Sequence, residues 1–153
     1  MGVGDGVDLA AIREAWVGKE LDTHTYEMRQ QHMLDWALAC GEQEPRFVDP
    51  ADPDFQAHPT FTSQFMHHPG LPEEFPKLTG RPGMDGGKSV ELLRPIRAGE
   101  RLAGTAAVAD VYEKTGRSGS MYFVVHRTTF RDEAGEKVAV VDWRVIHPAE
   151  RKR

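Results

Sequence analysis

A single cysteine, Cys40, is all the thiol chemistry carried by these 153 residues. An internal disulfide is impossible, in keeping with a reducing compartment, and a cysteine-rich zinc module is excluded. Long apolar runs are missing as well: nothing approaches the roughly 18 consecutive apolar residues that a membrane span requires. Residues 1–8 (MGVGDGVD) have an acidic flank and no apolar stretch. No secretory signal is read there, and a cytoplasmic location is the expectation. Positive charge is the third shortage, with 19 Lys and Arg against 24 Asp and Glu and a formal net charge of −5. Generic nucleic-acid binding depends on Lys and Arg to neutralise phosphates, so it is not expected, and the short basic end at residues 150–153 reads as a solvated tail.

What remains is an ordinary globular composition, 39% hydrophobic and 28% charged, in a chain long enough to bury a core as one domain. Asp8 is placed to cap a short helix with Leu9, Ile12, Ala15 and Trp16 on one side. Residues 21–28, rich in Thr and Tyr, predict a strand. Met33, Trp36, Ala37 and Cys40 then recur at helical spacing over residues 29–40, with Gly41 where a left-handed cap would end the helix. Pro45, Pro50 and Pro53 break up residues 41–58, and Asp49, Asp52 and Asp54 favour local turns there. A short helix is expected over residues 60–68 with Phe61, Phe65 and Met66 inward, followed by a second irregular loop to Gly87. Four β-rich runs close the chain, at residues 88–96, 101–114, 121–131 and 137–146, separated by short Gly-containing connections. Helices first and an antiparallel meander afterwards is an α+β pattern. Trp36 and Trp143 are expected to be largely buried.

The stretch WALACGEQEPRFVDP, residues 36–50, resembles the signature of the MaoC-like hydratase/dehydratase family, Gly-Asp-x-Asn-Pro-x-His-x-Asp following a helix. Gly41, Pro45 and Asp49 match. Pro59-Thr60-Phe61 resembles the Pro-Pro-Thr-Phe segment of the family's N-terminal-type domains, and residues 94–100 resemble their Arg-Pro-x-x-x-Gly-Asp turn. The strand pair at residues 111–131, bent around Lys114, Gly116-Arg117 and Gly119, is also similar. The resemblance covers about residues 17–147 of a domain spanning 1–153, and it implies a hot-dog fold with an antiparallel sheet wrapped around a central helix.

It also implies a chemistry and a defect in it. Hydration of a 2-enoyl thioester needs a base to deprotonate water, an acid for the α-carbon and donors for the thioester oxyanion. The family's catalytic Asp falls on Glu42 and its catalytic His on Phe47, so Glu42 keeps a carboxylate while the phenyl ring can neither give nor take a proton. Phe47 is then read as a wall of an acyl pocket, with Pro59, Thr60, Phe61 and Gly87 as further substrate-binding candidates. The leading expectation is a non-catalytic, acyl-binding subunit of a (3R)-specific enoyl-thioester hydratase or 3-hydroxyacyl-thioester dehydratase. It would act on acyl-CoA or acyl-ACP without a further cofactor, beside a second hot-dog subunit carrying the Asp/His pair, or as a self-dimer. A self-sufficient hydratase or thioesterase using Glu42 or His58, and a silent acyl-CoA binding module, are the rivals.

Other residues invite other readings. His58, His67 and His68 are the densest of the seven histidines, but no His-x-x-x-His or Cys pattern accompanies them and no metal site is expected. Backbone NH groups at Gly86-Gly87 and the hairpin around Arg117 could meet an anionic group, although plain turn chemistry accounts for both.

Overall fold

The computed structural model describes residues 7–66, 71–117 and 119–149. Helix α1 spans Leu9–Trp16, and the Asp8 carboxylate accepts from the Ala11 amide at 3.0 Å, as its capping position predicts. Strand β1 spans Glu20–Glu27, helix α2 Gln30–Ala39 and the four-residue helix α3 Pro45–Val48. A 3-10 turn covers Phe61–Phe65, shorter than the helix expected to reach residue 68. His67 and His68 lie outside the described residues, as does the basic tail. The long strands follow: β2 Met84–Leu92, β3 Arg101–Gly116, β4 Gly119–Arg131 and β5 Lys137–Pro148.

All five strands join one antiparallel sheet in the order β1-β3-β4-β5-β2. The last four strands supply most of it, β1 closes one side, and the helical segments lie against one face. This is the α+β hot-dog arrangement. Strand β2 begins four residues ahead of its expected start because Gly86-Gly87 is a bulge within an edge strand. The β2–β5 register shifts between Asp85 and Lys88, and Gly87 takes φ +97°. A Cβ on Gly86 would lie 2.8 Å from Ile146 Cγ1 and 2.9 Å from the Arg144 carbonyl, so only glycine lets the chain approach β5 so closely.

The inward face carries two apolar clusters. Near α2, Met28, Met33, Phe61, Leu102 and Phe130 are fully buried. Under α1 and residues 71–78, Ile12, Trp16, Phe75 and Leu78 close over Val108, Val111 and Val124. Helix α2 contributes less than its stripe predicted: Met33 and Ala37 are buried, but Cys40 is exposed and Trp36 only partly buried. Trp143 is partly exposed too. Each indole holds its N–H at the edge of the core to reach a polar partner, Thr60 Oγ1 at 3.1 Å and Asp85 Oδ1 at 2.9 Å.

The irregular segment 41–58 is attached to the sheet by a few specific contacts. The Ala57 amide donates to the Ile96 carbonyl at 2.9 Å, and both side chains are buried. Arg97 donates to the Phe55 carbonyl at 3.0 Å and to Asp54 at 2.8 Å. Arg94 forks onto Glu100 at 2.7 and 3.2 Å and reaches Asp132 at 3.1 Å, tying the β2–β3 connection to the β4–β5 turn. Phe61→Ala should cost about 3–5 kcal/mol in urea unfolding. Leu38→Ala, at a position 56% exposed on α2, should stay within about 0.5 kcal/mol. A small loss for Phe61 would show that the sheet does not close on this ring.

Candidate functional site

Gly41 ends α2 with φ +74°, the left-handed turn that lets the next residues double back across the helix end. Glu42 follows and is held at both carboxylate oxygens. Its Oε1 accepts from the amides of Gln43 at 2.8 Å and Glu44 at 3.0 Å, and its Oε2 lies 3.4 Å from His58 Nε2. The two backbone amides are the main reason that its pKa falls below the ordinary glutamate value, with His58 and Arg46 adding smaller pulls in the same direction.

The histidine is equally committed. His58 Nδ1 receives the Thr60 amide at 3.3 Å and lies 2.8 Å from Thr60 Oγ1. That hydroxyl already accepts the indole N–H of Trp36, so its own proton points to Nδ1. With Nδ1 accepting, the ring proton sits on Nε2 and faces Glu42. A chain of polar contacts therefore runs from Trp36 through Thr60 to His58, whose Nε2 faces Glu42, and the loop amides donate to that same carboxylate. Phe47, from α3, is 5% exposed and meets the His58 ring edge to face at 5.6 Å, while the Arg46 guanidinium lies 4.7 Å from its ring centre on another side. Sequence reasoning named Glu42, Phe47, His58 and Thr60 separately; the structure brings them into one corner.

The other candidates scatter. Pro59 is exposed beside that corner, Phe61 is fully buried in the α2 cluster, and Gly87 belongs to the β2 bulge, where its amide donates to Asp85 at 2.8 Å. Asp85 also accepts the Trp143 indole, and these two bonds, the amide first, hold its pKa below the usual aspartate value. The turn glycines were thus accounted for by backbone geometry, and Arg117 stands exposed at the β3–β4 turn. Among the described residues no group of three His, Cys, Asp or Glu side chains is placed to hold a metal ion. Among the described residues no helix is long and apolar enough to cross a membrane.

A separate cavity of about 710 Å³ opens between the two apolar clusters. Its walls include Trp16, Leu21, Leu71, Ala106 and Trp143, with His126 and Thr128 at the sheet. None of Glu42, Phe47, His58, Pro59, Thr60, Phe61 or Gly87 lines it. On β3, Leu102, Gly104, Ala106 and Val108 alternate onto the inward face; Gly104 is closely covered by Phe130, Tyr26 and Thr128, and the small Ala106 lines the cavity. The small Ala106 on the inward face of β3 is the signal of this cavity in the sequence.

Residues 15–141 match the family model described as the FAS1-like, dehydratase domain region. The chain belongs to this family of MaoC-like hot-dog dehydratases. A UPF0336 protein of Streptomyces avermitilis is 25% identical over 151 residues, covering 89% of this chain and 95% of the relative. Among solved structures, the ChsH1–ChsH2 complex from Mycobacterium tuberculosis contains a chain that is 18% identical with a TM-score of 0.66, covering 95% of this chain and 91% of that one. The MaoC-like dehydratase from Rhodospirillum rubrum is 17% identical with a TM-score of 0.60, covering 89% and 94%. Against the MaoC-like pattern, the departures are glutamates at positions 42 and 44 and a phenylalanine at position 47.

The low pKa of Glu42 has a directional consequence. A carboxylate held ionised in the fold stabilises it at pH values above the unfolded-chain pKa and loses that contribution as pH falls through the lower folded value. The ¹³C carboxyl resonance of Glu42 should therefore titrate below 4.5. Glu42→Gln should flatten the loss of stability over the acid window below that value, and a Glu42 midpoint at or above it would show the two amide bonds to be absent in solution.

Proposed function

We propose that this chain, a single hot-dog domain, is the non-catalytic, acyl-accommodating subunit of a (3R)-specific enoyl-thioester hydratase or 3-hydroxyacyl-thioester dehydratase. Its partner is a second hot-dog polypeptide that carries the Asp/His pair, and the substrate is an acyl thioester of coenzyme A or acyl carrier protein. In hydration the partner's base takes a proton from water, the oxygen adds to C3, and an acid delivers a proton to C2. This chain contributes the walls for the acyl tail.

The observation that carries this reading is the hold of two loop amides on Glu42 Oε1, which keeps the carboxylate ionised and its pKa low. A general base needs a free oxygen aimed at water and a pKa near the working pH. Here one oxygen is taken by two amides, the other faces His58, and the pKa is pushed down. The groups that could replace the missing pair instead fasten the 41–47 loop to residues 58–60. Two further features fit. Among the described residues β2 pairs only with β5, which leaves its outer edge available to another chain, and one of the similar structures is a complex of two different chains.

The 3.4 Å approach of His58 to Glu42 favours one rival, a self-sufficient homodimer in which this pair performs the proton transfers. Turnover separates the two. The purified chain should hydrate crotonyl-CoA or a longer enoyl-CoA at background rate and gain activity on mixing with an Asp/His-bearing hot-dog partner. In that mixture Glu42→Gln should change kcat by less than about threefold, whereas loss of a working general base removes about 10²- to 10⁴-fold. Activity of the chain alone, abolished by Glu42→Gln or His58→Ala and indifferent to Phe47→Ala, would overturn the subunit reading.

A further inference from the structure

We infer that the cavity between α1 and the sheet selects for charge: it accepts an uncharged acyl tail and rejects one ending in a carboxylate. This rests on the acyl-accommodating reading and deepens it. A volume of about 710 Å³ falls within the roughly 300–1,000 Å³ of sites that enclose drug-sized ligands, far more than a four-carbon chain would fill. Trp16, Leu21, Met66, Leu71 and Trp143 give the cavity an apolar and aromatic part, against which burial of hydrocarbon is the driving force, and charged side chains border the rest.

The charged groups around the cavity decide what can stand at the end of that hydrocarbon. Glu20, Glu73 and Glu74 border it and are exposed, and among the described residues none of the three is in an ion pair. Two cations border it as well, and both are engaged. Arg127 is held by Asp142 through Nε and Nη2, each at 2.7 Å, and the Lys19 ammonium lies 4.4 Å from the centre of the Trp16 ring. An ω-carboxylate entering here would shed its water beside these glutamates and Asp22, which lies 3.0 Å from His24, and among the described residues both bordering cations already have partners. Desolvation of an unpaired carboxylate is the larger penalty, and the exposed glutamates add a smaller, salt-screened repulsion. A methyl terminus meets neither cost.

The test measures binding to the purified chain at pH 8, where an ordinary histidine is neutral, using N-acetylcysteamine thioesters of decanoic acid and of decanedioic acid. Calorimetric titration should show the decanoyl thioester binding at least tenfold more tightly. Glu73→Lys with Glu74→Lys, both on exposed positions, should narrow that gap at least threefold at low ionic strength, and Ala106→Trp should weaken decanoyl binding at least tenfold. Equal affinities for the two thioesters, a gap untouched by the charge reversal, or no decanoyl binding would each overturn the inference. Crotonyl-CoA hydration on mixing with the Asp/His-bearing partner reports separately on the subunit reading, because so short a chain does not reach the charged rim.

Discussion

The junction between Ala57 and Ile96 is the constraint on which the rest depends. Residues 41–58 contain three prolines and one four-residue helix, and nothing regular within them sets their position. Burial of Phe55, Ala57 and Ile96, one main-chain hydrogen bond and the two contacts of Arg97 place them against the sheet. Once Ala57 is seated, His58 and Thr60 must follow at the end of α2. There Trp36 supplies the indole N–H and Glu42 the carboxylate. The corner around Glu42 is thus a product of where the loop is anchored.

At that corner the charged groups are tied to one another and to the loop amides. Catalytic carboxylates are useful when desolvation or a like charge brings their pKa toward neutrality. Glu42 is driven the other way, by amide donors at the end of a helix and by a histidine whose second nitrogen is already satisfied. Phe47, packed on the His58 ring, removes the space where a second proton-transfer group would stand. The residues act together as a clasp for the loop.

The cavity arises from the opposite circumstance, too little side chain rather than too much hydrogen bonding. Ala106 occupies an inward position on β3 next to Gly104, which Tyr26 and Phe130 cover, and the small Ala106 side chain leaves the space above it open. Both apolar clusters close on either side, so the space is bounded but not collapsed. Because the cavity and the Glu42 corner are built by different segments, one can vary in shape and charge without disturbing the other.

By itself the sequence determined the strands, the left-handed stop at Gly41, the loss of a proton-transfer group at Phe47 and membership of a MaoC-like hot-dog family. These follow from local rules: alternation, turn chemistry, and the simple fact that a phenyl ring has no titratable atom. Only the tertiary structure decided that the Gly86-Gly87 pair is a bulge, that Trp36 and Trp143 remain partly exposed, and that Phe61 is core rather than pocket wall. It alone joined Glu42 to His58 across sixteen positions and separated both from the cavity. The physical reason is the same in each case. Hydrogen-bond partners and empty volume are properties of segments distant in the chain, and they exist only when the sheet brings those segments together.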